Sequence, residues 1–290
     1  MLKSTLIPLS LKEPEEKLMD LAGFISQFGT EKVRLLHVFS GGEDEKNRRE
    51  FELKEREAVF RNCGMSAETE IRSGTIASEI CKTAAEREVD YIAILWKKKN
   101  MIRRTILTSP DTDLLRLCSY STLIFKPRKE VRFVKWEWGK RAGGKEGKDR
   151  HRKGPNHTSR PARIVYATDC GRADKKVMPY LKSLSFGAKE LYLLHVRERA
   201  PDPESDRKRQ EELSNKLDTL AEQCLTNYDH VENTMLTGAV RRRIPAETRK
   251  RDADLLVIGR NDKPKPMDKL LGSTAESLPH QTHCSVLIIA

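Results

Sequence analysis

Gly259-Arg260-Asn261-Asp262, nine residues from Lys263 to Leu271, and then Gly272-Ser273-Thr274 make up the stretch whose residue types and spacing could do chemistry. It leaves the apolar run Leu255 to Ile258 and enters a helical pattern at Gly272. A backbone without side chains can approach an anion closely, and the first amides of a helix point at it, so this spacing suits a phosphate. The same glycines also suit a plain turn. Other pieces close apolar runs of their own: Ala167-Thr168-Asp169, His195-Val196, and Gly238 after a third run. An acid at the end of a first strand can hold a ribose hydroxyl or a magnesium-bound water. The backbone at Val196 could bond an adenine edge, and Ser273 and Thr274 offer hydroxyls at a helix start. Asp262 works against a phosphate unless a metal or Lys263, Lys265 or Lys269 intervenes, and Pro264 and Pro266 narrow the range of the loop.

Positioning such pieces requires strands that end on one edge, and the chain supplies a repeated pattern that does this twice. TLIPL (5–9) matches RIVYAT (163–168), and VRLLHVFS (33–40) matches LYLLHVRE (191–198). ETEIRSGTIASEI (68–80) matches ENTMLTGAVRRRI (232–244), and VDYIAIL (89–95) matches ADLLVIG (253–259). CSYSTLIFK (118–126) matches THCSVLIIA (282–290). Repetition on this scale means two copies of one domain. Between the apolar runs lie helical patterns: DKKVMPYLKSLSFG, ended by Gly187, and a longer one with Leu213, Leu217, Leu220 and Leu225 near helical spacing. Apolar strands separated by helices imply a parallel sheet covered on both faces. With right-handed crossovers, the expected fold is α/β: two doubly wound parallel-sheet sandwiches, internally duplicated. Ligands of such sheets lie outside the carboxyl ends of the strands, at the switch in strand order.

At 290 residues, the chain has room for two ordinary domains. We expect them at 1–127 and 162–290, joined by a bridge at 128–161. Between Lys126 and Arg163 about fourteen Lys or Arg stand against four acids, so most of the net +12 lies there. That bridge carries Phe133, Trp136 and Trp138. It could engage nucleic acid by charge and stacking, or an anionic membrane surface, or serve as a soluble linker whose tryptophans pack on a domain. No apolar run approaches the roughly 20 residues of a membrane span, and the N-terminal stretch is too short and too acidic for a signal peptide. A cytoplasmic location is expected. Cys63, Cys81, Cys118, Cys170, Cys224 and Cys284 form no CxxC and read as small buried hydrophobes rather than metal ligands or disulfide partners.

The strand ending ATD, LLHV, Gly238, DLLVIG and LLGSTAE, in that order, resemble the universal stress protein family. The resemblance covers both copies, so the chain looks like a tandem universal stress protein with the adenine nucleotide alpha hydrolase-like fold. The nucleotide-binding branch of that family carries G-x-x-G, nine residues, then G-[S/T]; here Gly259, Gly272 and Ser273 agree and Asp262 stands at the second glycine. The resemblance implies that Asp169, Val196, Gly259, Gly272, Ser273 and Thr274 line an ATP site, with Ala167, Thr168, Gly238, Ile258 and Asp262 around it and Mg2+ as an optional companion. It also implies dimer-like pairing through the final strands, STLIF and SVLII. A tandem chain could satisfy that pairing internally, and a homodimer is the alternative.

The first copy lacks these parts. Its equivalent loop is Leu95-Trp96-Lys97-Lys98, nine residues, then Thr108-Ser109, and Ser10 takes the place of Asp169. A Cβ at each former glycine blocks close approach. Lys97, Lys98, Lys99, Arg103 and Arg104 form a basic cluster that suits solvated surface. Ser40-Gly41-Gly42-Glu43-Asp44, which looks like a phosphate loop, follows the wrong strand and reads as a turn and helix cap. His37 and His195 recur in LLHV, which favours a structural role at a strand end. No positioned nucleophile or general base stands out, so fast catalysis is not expected; slow ATP hydrolysis stays open through Asp169 or Asp262. Two functions follow: an adenine-nucleotide-responsive regulatory module of the stress response, or a non-nucleotide-binding adaptor or scaffold whose basic bridge contacts nucleic acid, membrane or a protein partner.

Overall fold

The computed structural model describes residues 2–39, 43–96, 118–127, 162–199, 201–260 and 273–290. The bridge, the first copy's loop after Trp96, the Ser40–Asp44 turn and the stretch from Asn261 to Gly272 lie wholly or partly outside the described residues.

The first copy runs β1 (Ser4–Pro8), α1 (Glu15–Gln27), β2 (Lys32–Phe39), α2 (Glu43–Asn62), β3 (Ser66–Ser73), α3 (Ile76–Glu86), β4 (Tyr91–Leu95) and β5 (Thr122–Phe125). The second runs β6 (Ala162–Thr168), α4 (Asp174–Leu184), β7 (Ala188–Arg197), α5 (Pro203–Glu222), β8 (His230–Thr237), α6 (Val240–Lys250), β9 (Leu255–Gly259), α7 (Ser273–Gln281) and β10 (Ser285–Ile289). Helix α1 begins after Pro14 with Glu15 and Glu16 in its first turn, where carboxylates suit the helix dipole. Its Leu18, Leu21, Phe24 and Ile25 all point into the core. Helix α5 starts at an Asp202 cap whose carboxylate accepts from the Ser205 amide at 2.8 Å. It ends at Glu222, short of Leu225, which is 58% exposed; the expected fourth leucine of its apolar stripe is therefore not part of it.

The strands join in the order β3-β2-β1-β4-β5-β10-β9-β6-β7-β8. Within each copy every pair is parallel, and the order reverses between β1 and β4 and between β6 and β9. The fold is therefore two doubly wound α/β sheets. They meet through one antiparallel pair, β5 with β10, in the register Ile124↔Val286, Leu123↔Leu287 and Thr122↔Ile288. Strands β4, β5 and β10 are buried at every position because helices cover both of their faces. Strand β8, HVENTMLT, is exposed at His230 and half-buried from Val231 on because it is an outer edge.

One face of this sheet carries a core continuous across both copies, built on α1, α2, α4 and α5, with Phe24 and Phe125 5.2 Å apart between ring centroids. The other face is divided: α3 covers the first copy, and α6 and α7 cover the second. On the continuous side the Gln27 amide donates to the Gly187 carbonyl at 2.5 Å, and a Cβ on Gly187 would stand 2.6 Å from the Gln27 carbonyl oxygen. Gly187 is thus where the second copy presses its backbone on α1.

Two further contacts relate the copies by an approximate twofold. The Lys126 amide donates to Ser285 Oγ at 3.1 Å, and the Ala290 amide donates to Ser121 Oγ, its matched partner, at 3.2 Å. One cysteine pair departs from the expectation of unpaired thiols: Cys81 on α3 and Cys118 before β5 are disulfide-bonded, with Cα atoms 5.4 Å apart. Residues 37 apart meet because Cys118 lies on the face that α3 covers. No helix among the described residues is long and apolar enough to cross a membrane.

Candidate functional site

Three neighbouring strands of the second copy end on one edge. Parallel register sets Thr168 beside His195 and Ala167 beside Ile258, with Val196 and Gly259 one step further out. The edge lies at the β6–β9 reversal, where a doubly wound sheet opens a crevice. Asp169 stands just beyond β6 and is exposed. A Cβ placed on Gly171 would lie 2.7 Å from Asp169 Oδ1, so this carboxylate curls back over a bare backbone.

The turn from β6 into α4 is held by a buried polar cluster of whose side chains the sequence singled out only Thr168. Asp174 opens α4 and is 8% exposed. Its Oδ1 accepts from the Tyr166 hydroxyl and from Thr168 Oγ at 2.5 Å. Thr168 Oγ also accepts the Cys170 amide at 2.7 Å. Three donors thus converge on two acceptor oxygens, and a buried carboxylate is tolerated because it is bonded. Tyr166, the one aromatic residue of the strand ARIVYAT and fully buried there, was the available signal.

Cys170 has the left-handed φ of 56° and lies 3.7 Å, Sγ to Nδ1, from His195. This is not an activated thiol. His195 Nδ1 faces the Thr168 carbonyl oxygen at 2.9 Å and donates to it, leaving no lone pair there for the thiol proton. Burial, with Asp174 and Asp169 nearby, pushes the Cys170 thiol up to about 11. The first copy repeats the histidine bond: His37 Nδ1 meets the Leu9 carbonyl at 2.8 Å, and both rings are buried. In each copy, then, this histidine ties the end of the second strand to the end of the first.

Beside Val196, the Arg197 guanidinium is 9% exposed and donates to Asp206 at 2.6 Å and Gln210 at 2.9 Å, both on α5. The Arg197 carbonyl accepts the Gly238 amide at 3.0 Å. Gly238 has φ +134°, a conformation side chains rarely adopt, so it must be bare to make the turn into α6.

Gly259 is bare for a different reason than a phosphate alone would give. A Cβ there would stand 2.6 Å from Ala173 Cβ and 3.1 Å from Val177 Cγ2. The start of α4 packs against the end of β9 at this point. Ile258 beside it is buried. The backbone of α7 begins at Ser273, so Ser273 and Thr274 stand at a helix start as expected, while Asp262 and Gly272 lie outside the described residues. Among the described residues no group of three or more His, Cys, Asp or Glu side chains gathers as a metal site.

The arrangement fits a nucleoside on one point and constrains it on another. An exposed carboxylate at the reversal suits ribose hydroxyls, and the neighbouring strand end offers main-chain groups at Val196. The start of α4 fills the space on the side-chain side of Gly259, so Gly259 could meet a phosphate only through its main chain.

The family model for the universal stress protein family matches residues 1–126 and again 162–290. A universal stress protein from Archaeoglobus fulgidus is similar over 100% of this chain and 96% of its own, at 19% identity and a TM-score of 0.70. A functionally unknown protein from Pseudomonas aeruginosa PAO1 is similar over 99% and 92%, at 16% identity and a TM-score of 0.60. A universal stress protein from Archaeoglobus fulgidus in complex with dAMP aligns with 41% of this chain and 94% of its own, at 16% identity and a TM-score of 0.34. No curated protein sequence matches.

Proposed function

Since the chain belongs to the universal stress protein family, carrying that domain twice, we propose that its second copy binds an adenine nucleotide and that occupancy regulates a partner interaction. ATP is the ligand we favour. Asp169 would take the ribose hydroxyls and the Val196 backbone the adenine edge. Gly259, Gly272, Ser273 and Thr274 would approach the phosphates, with Ala167, Thr168, Gly238, Ile258 and Asp262 around them. Magnesium, where present, would be held by phosphate oxygens and water rather than by a cluster of side chains. The domains are taken as 1–127 and 162–290 with 128–161 between them, in a cytoplasmic protein. The first copy acts as the fixed half, docked through β5 and β10.

The observation that carries this reading is the convergence of Asp169, Val196 and Gly259 on one edge at the strand reversal. The chain's own residues would bind and orient; among the described residues no side chain there is placed to withdraw a proton from a nucleophile.

A second reading has a specific observation behind it. Gly259 is required by its packing on Ala173 and Val177 whether or not a nucleotide is bound. The glycine spacing could then persist in an adaptor that binds none and works through its basic bridge.

Thermal melting with and without ATP and Mg2+ separates the two. A ligand at about a hundred times its Kd adds roughly 2.7 kcal/mol to stability. The expected result is an ATP-dependent rise in Tm that D169A diminishes. No rise in Tm, together with no adenine nucleotide released from the denatured purified protein, would favour the adaptor.

A further inference from the structure

The first copy has lost the nucleotide spacing, yet it carries a chemical group that the second copy lacks. Cys81 on α3 and Cys118 just before β5 are joined, with Cα atoms 5.4 Å apart, inside the span that a disulfide bridges without moving the backbone. Their matched positions in the second copy are Pro245 and Thr282, so the pair belongs to one copy only. The two cysteines differ in burial. Cys118 is 2% exposed, while Cys81 on α3 is only half-buried. That asymmetry suits a couple in which one sulfur exchanges with solvent thiols and the other resolves.

The backbone of Cys118 also has a partner in the other copy. Arg260 Nη1 donates to the Cys118 carbonyl at 2.7 Å. Arg260 directly follows Gly259, and its own amide donates to the Ile289 carbonyl of β10 at 2.7 Å. The residue that leaves β9 toward the second copy's loop is therefore fastened to the cysteine of the first copy. The other cysteines do not compete for this role. Cys63, Cys170 and Cys224 are free, and burial raises each of their thiols. Cys284 is outside the disulfide and fully buried.

We propose that Cys81 and Cys118 are a reversible thiol–disulfide switch, and that Arg260 carries its state from the first copy to the carboxyl edge of the second. A low-molecular-weight disulfide such as oxidised glutathione is the oxidant. The Cys81 thiolate attacks one of its sulfurs, the S–S bond breaks, and one glutathione leaves. The Cys118 thiolate then attacks the Cys81 sulfur of the mixed disulfide and expels the second glutathione. The protein loses two electrons and two protons, and two glutathione thiols are formed. In the oxidised state α3 and the chain before β5 are stapled together, and the Cys118 carbonyl is held where Arg260 meets it. In the reduced state that carbonyl is freer to move and Arg260 is less firmly fastened. The inference does not depend on whether the second copy binds a nucleotide.

Thiol counting on the full chain, unfolded in a maleimide after equilibration with reduced or oxidised glutathione, tests the first half. Six labelled cysteines are expected in the reduced state and four in the oxidised state, with peptide mapping placing the link at Cys81–Cys118. Six labels in both states, or a link elsewhere, would overturn it. So would a link that millimolar dithiothreitol does not open in the folded protein. C81S, altering the less buried cysteine, should give five labels in both states; C118S is the second variant should C81S not fold. Hydrogen exchange tests the second half: the Arg260 amide should exchange at least threefold more slowly in the oxidised protein, and R260M should erase that difference. Equal exchange in both redox states of the native chain would sink the transmission through Arg260.

Discussion

The Lys126 ammonium, on the strand end of the first copy, donates to the Thr282 carbonyl of the second at 2.7 Å. It also reaches the Thr282 hydroxyl at 3.2 Å and the Pro279 carbonyl, and lies 5.4 Å from the centroid of the Trp96 ring. Trp96 in turn meets His280 edge-on, 4.8 Å between centroids. Pro279 and Thr282 are at the carboxyl end of α7, where carbonyls lack helical partners and a cation is favoured. The matched relationship runs the other way through Arg260 and the Cys118 carbonyl, since Cys118 and Thr282 hold equivalent places. Each copy therefore sets a cation on the same carbonyl of its neighbour, using residues at different positions to do it.

Lys126 gives the first prediction. K126M strands the acceptors at Pro279 and Thr282, and we expect a loss of about 1–3 kcal/mol at pH 7. Burial pushes the Lys126 ammonium down to about 8, against about 10.4 for an unfolded lysine. Between those values the unfolded chain holds the proton that the folded chain has released, so the Lys126 contribution makes stability rise with pH. Urea unfolding of native chain and K126M at pH 7.5 and pH 10 isolates it, because both share the tyrosine titrations. The native chain should gain on the order of 2–3 kcal/mol relative to K126M across that window. Parallel pH profiles would refute the assignment.

Gly259 gives a prediction that separates packing from ligand chemistry. G259A forces a methyl to 2.6 Å from Ala173 Cβ, and overpacking of this kind costs about 1–3 kcal/mol. The loss should be seen in nucleotide-free protein. Adding A173G opens the space, and the double variant should recover at least half of it. A G259A chain as stable as the native one without nucleotide would mean that α4 gives way freely.

How much of this was legible follows from what each feature depends on. Strands such as YIAIL and SVLII announce themselves because burial on both faces makes them apolar throughout. The duplication and the convergence of strand ends follow from that pattern and from strand order. Structural histidines at 37 and 195 were legible because the copy lacking the nucleotide spacing keeps its histidine. Cys81–Cys118 was not legible, because no local spacing signals two residues that meet only after β4 has crossed the sheet. The Lys126–Thr282 contact was hidden for a related reason. It joins residues 156 apart, and Lys126 matches Ala290, so comparing the copies points away from it. Leu225 misled because helical spacing continues past the point where α5 stops.

Tyr166 tests the buried cluster under Asp169. Y166F removes one of the donors to Asp174 Oδ1 and leaves a buried carboxylate with less support. A cost of about 1–3 kcal/mol is expected in urea unfolding. Pairing Y166F with D174N should cost less than the sum of the two single losses, because the two residues share one bond. Additive losses would show that phenol and carboxylate act independently.

Gly187 tests whether the two copies melt as one. A methyl there meets the Gln27 carbonyl at 2.6 Å and Phe28 Cδ1 at 2.9 Å, and the carbonyl cannot swing away as a side chain would. The contact lies on the face where the core is continuous between copies. G187A should therefore weaken the docking of α1 against the second copy as well as total stability. Each kcal/mol lost lowers Tm by roughly 2–4 °C in a chain of this size. In calorimetry the native protein should show a single transition, and G187A should broaden or split it as the copies uncouple. Two well-separated transitions already present in the native chain would mean that the shared core and the β5–β10 pair do not bind the copies into one cooperative unit.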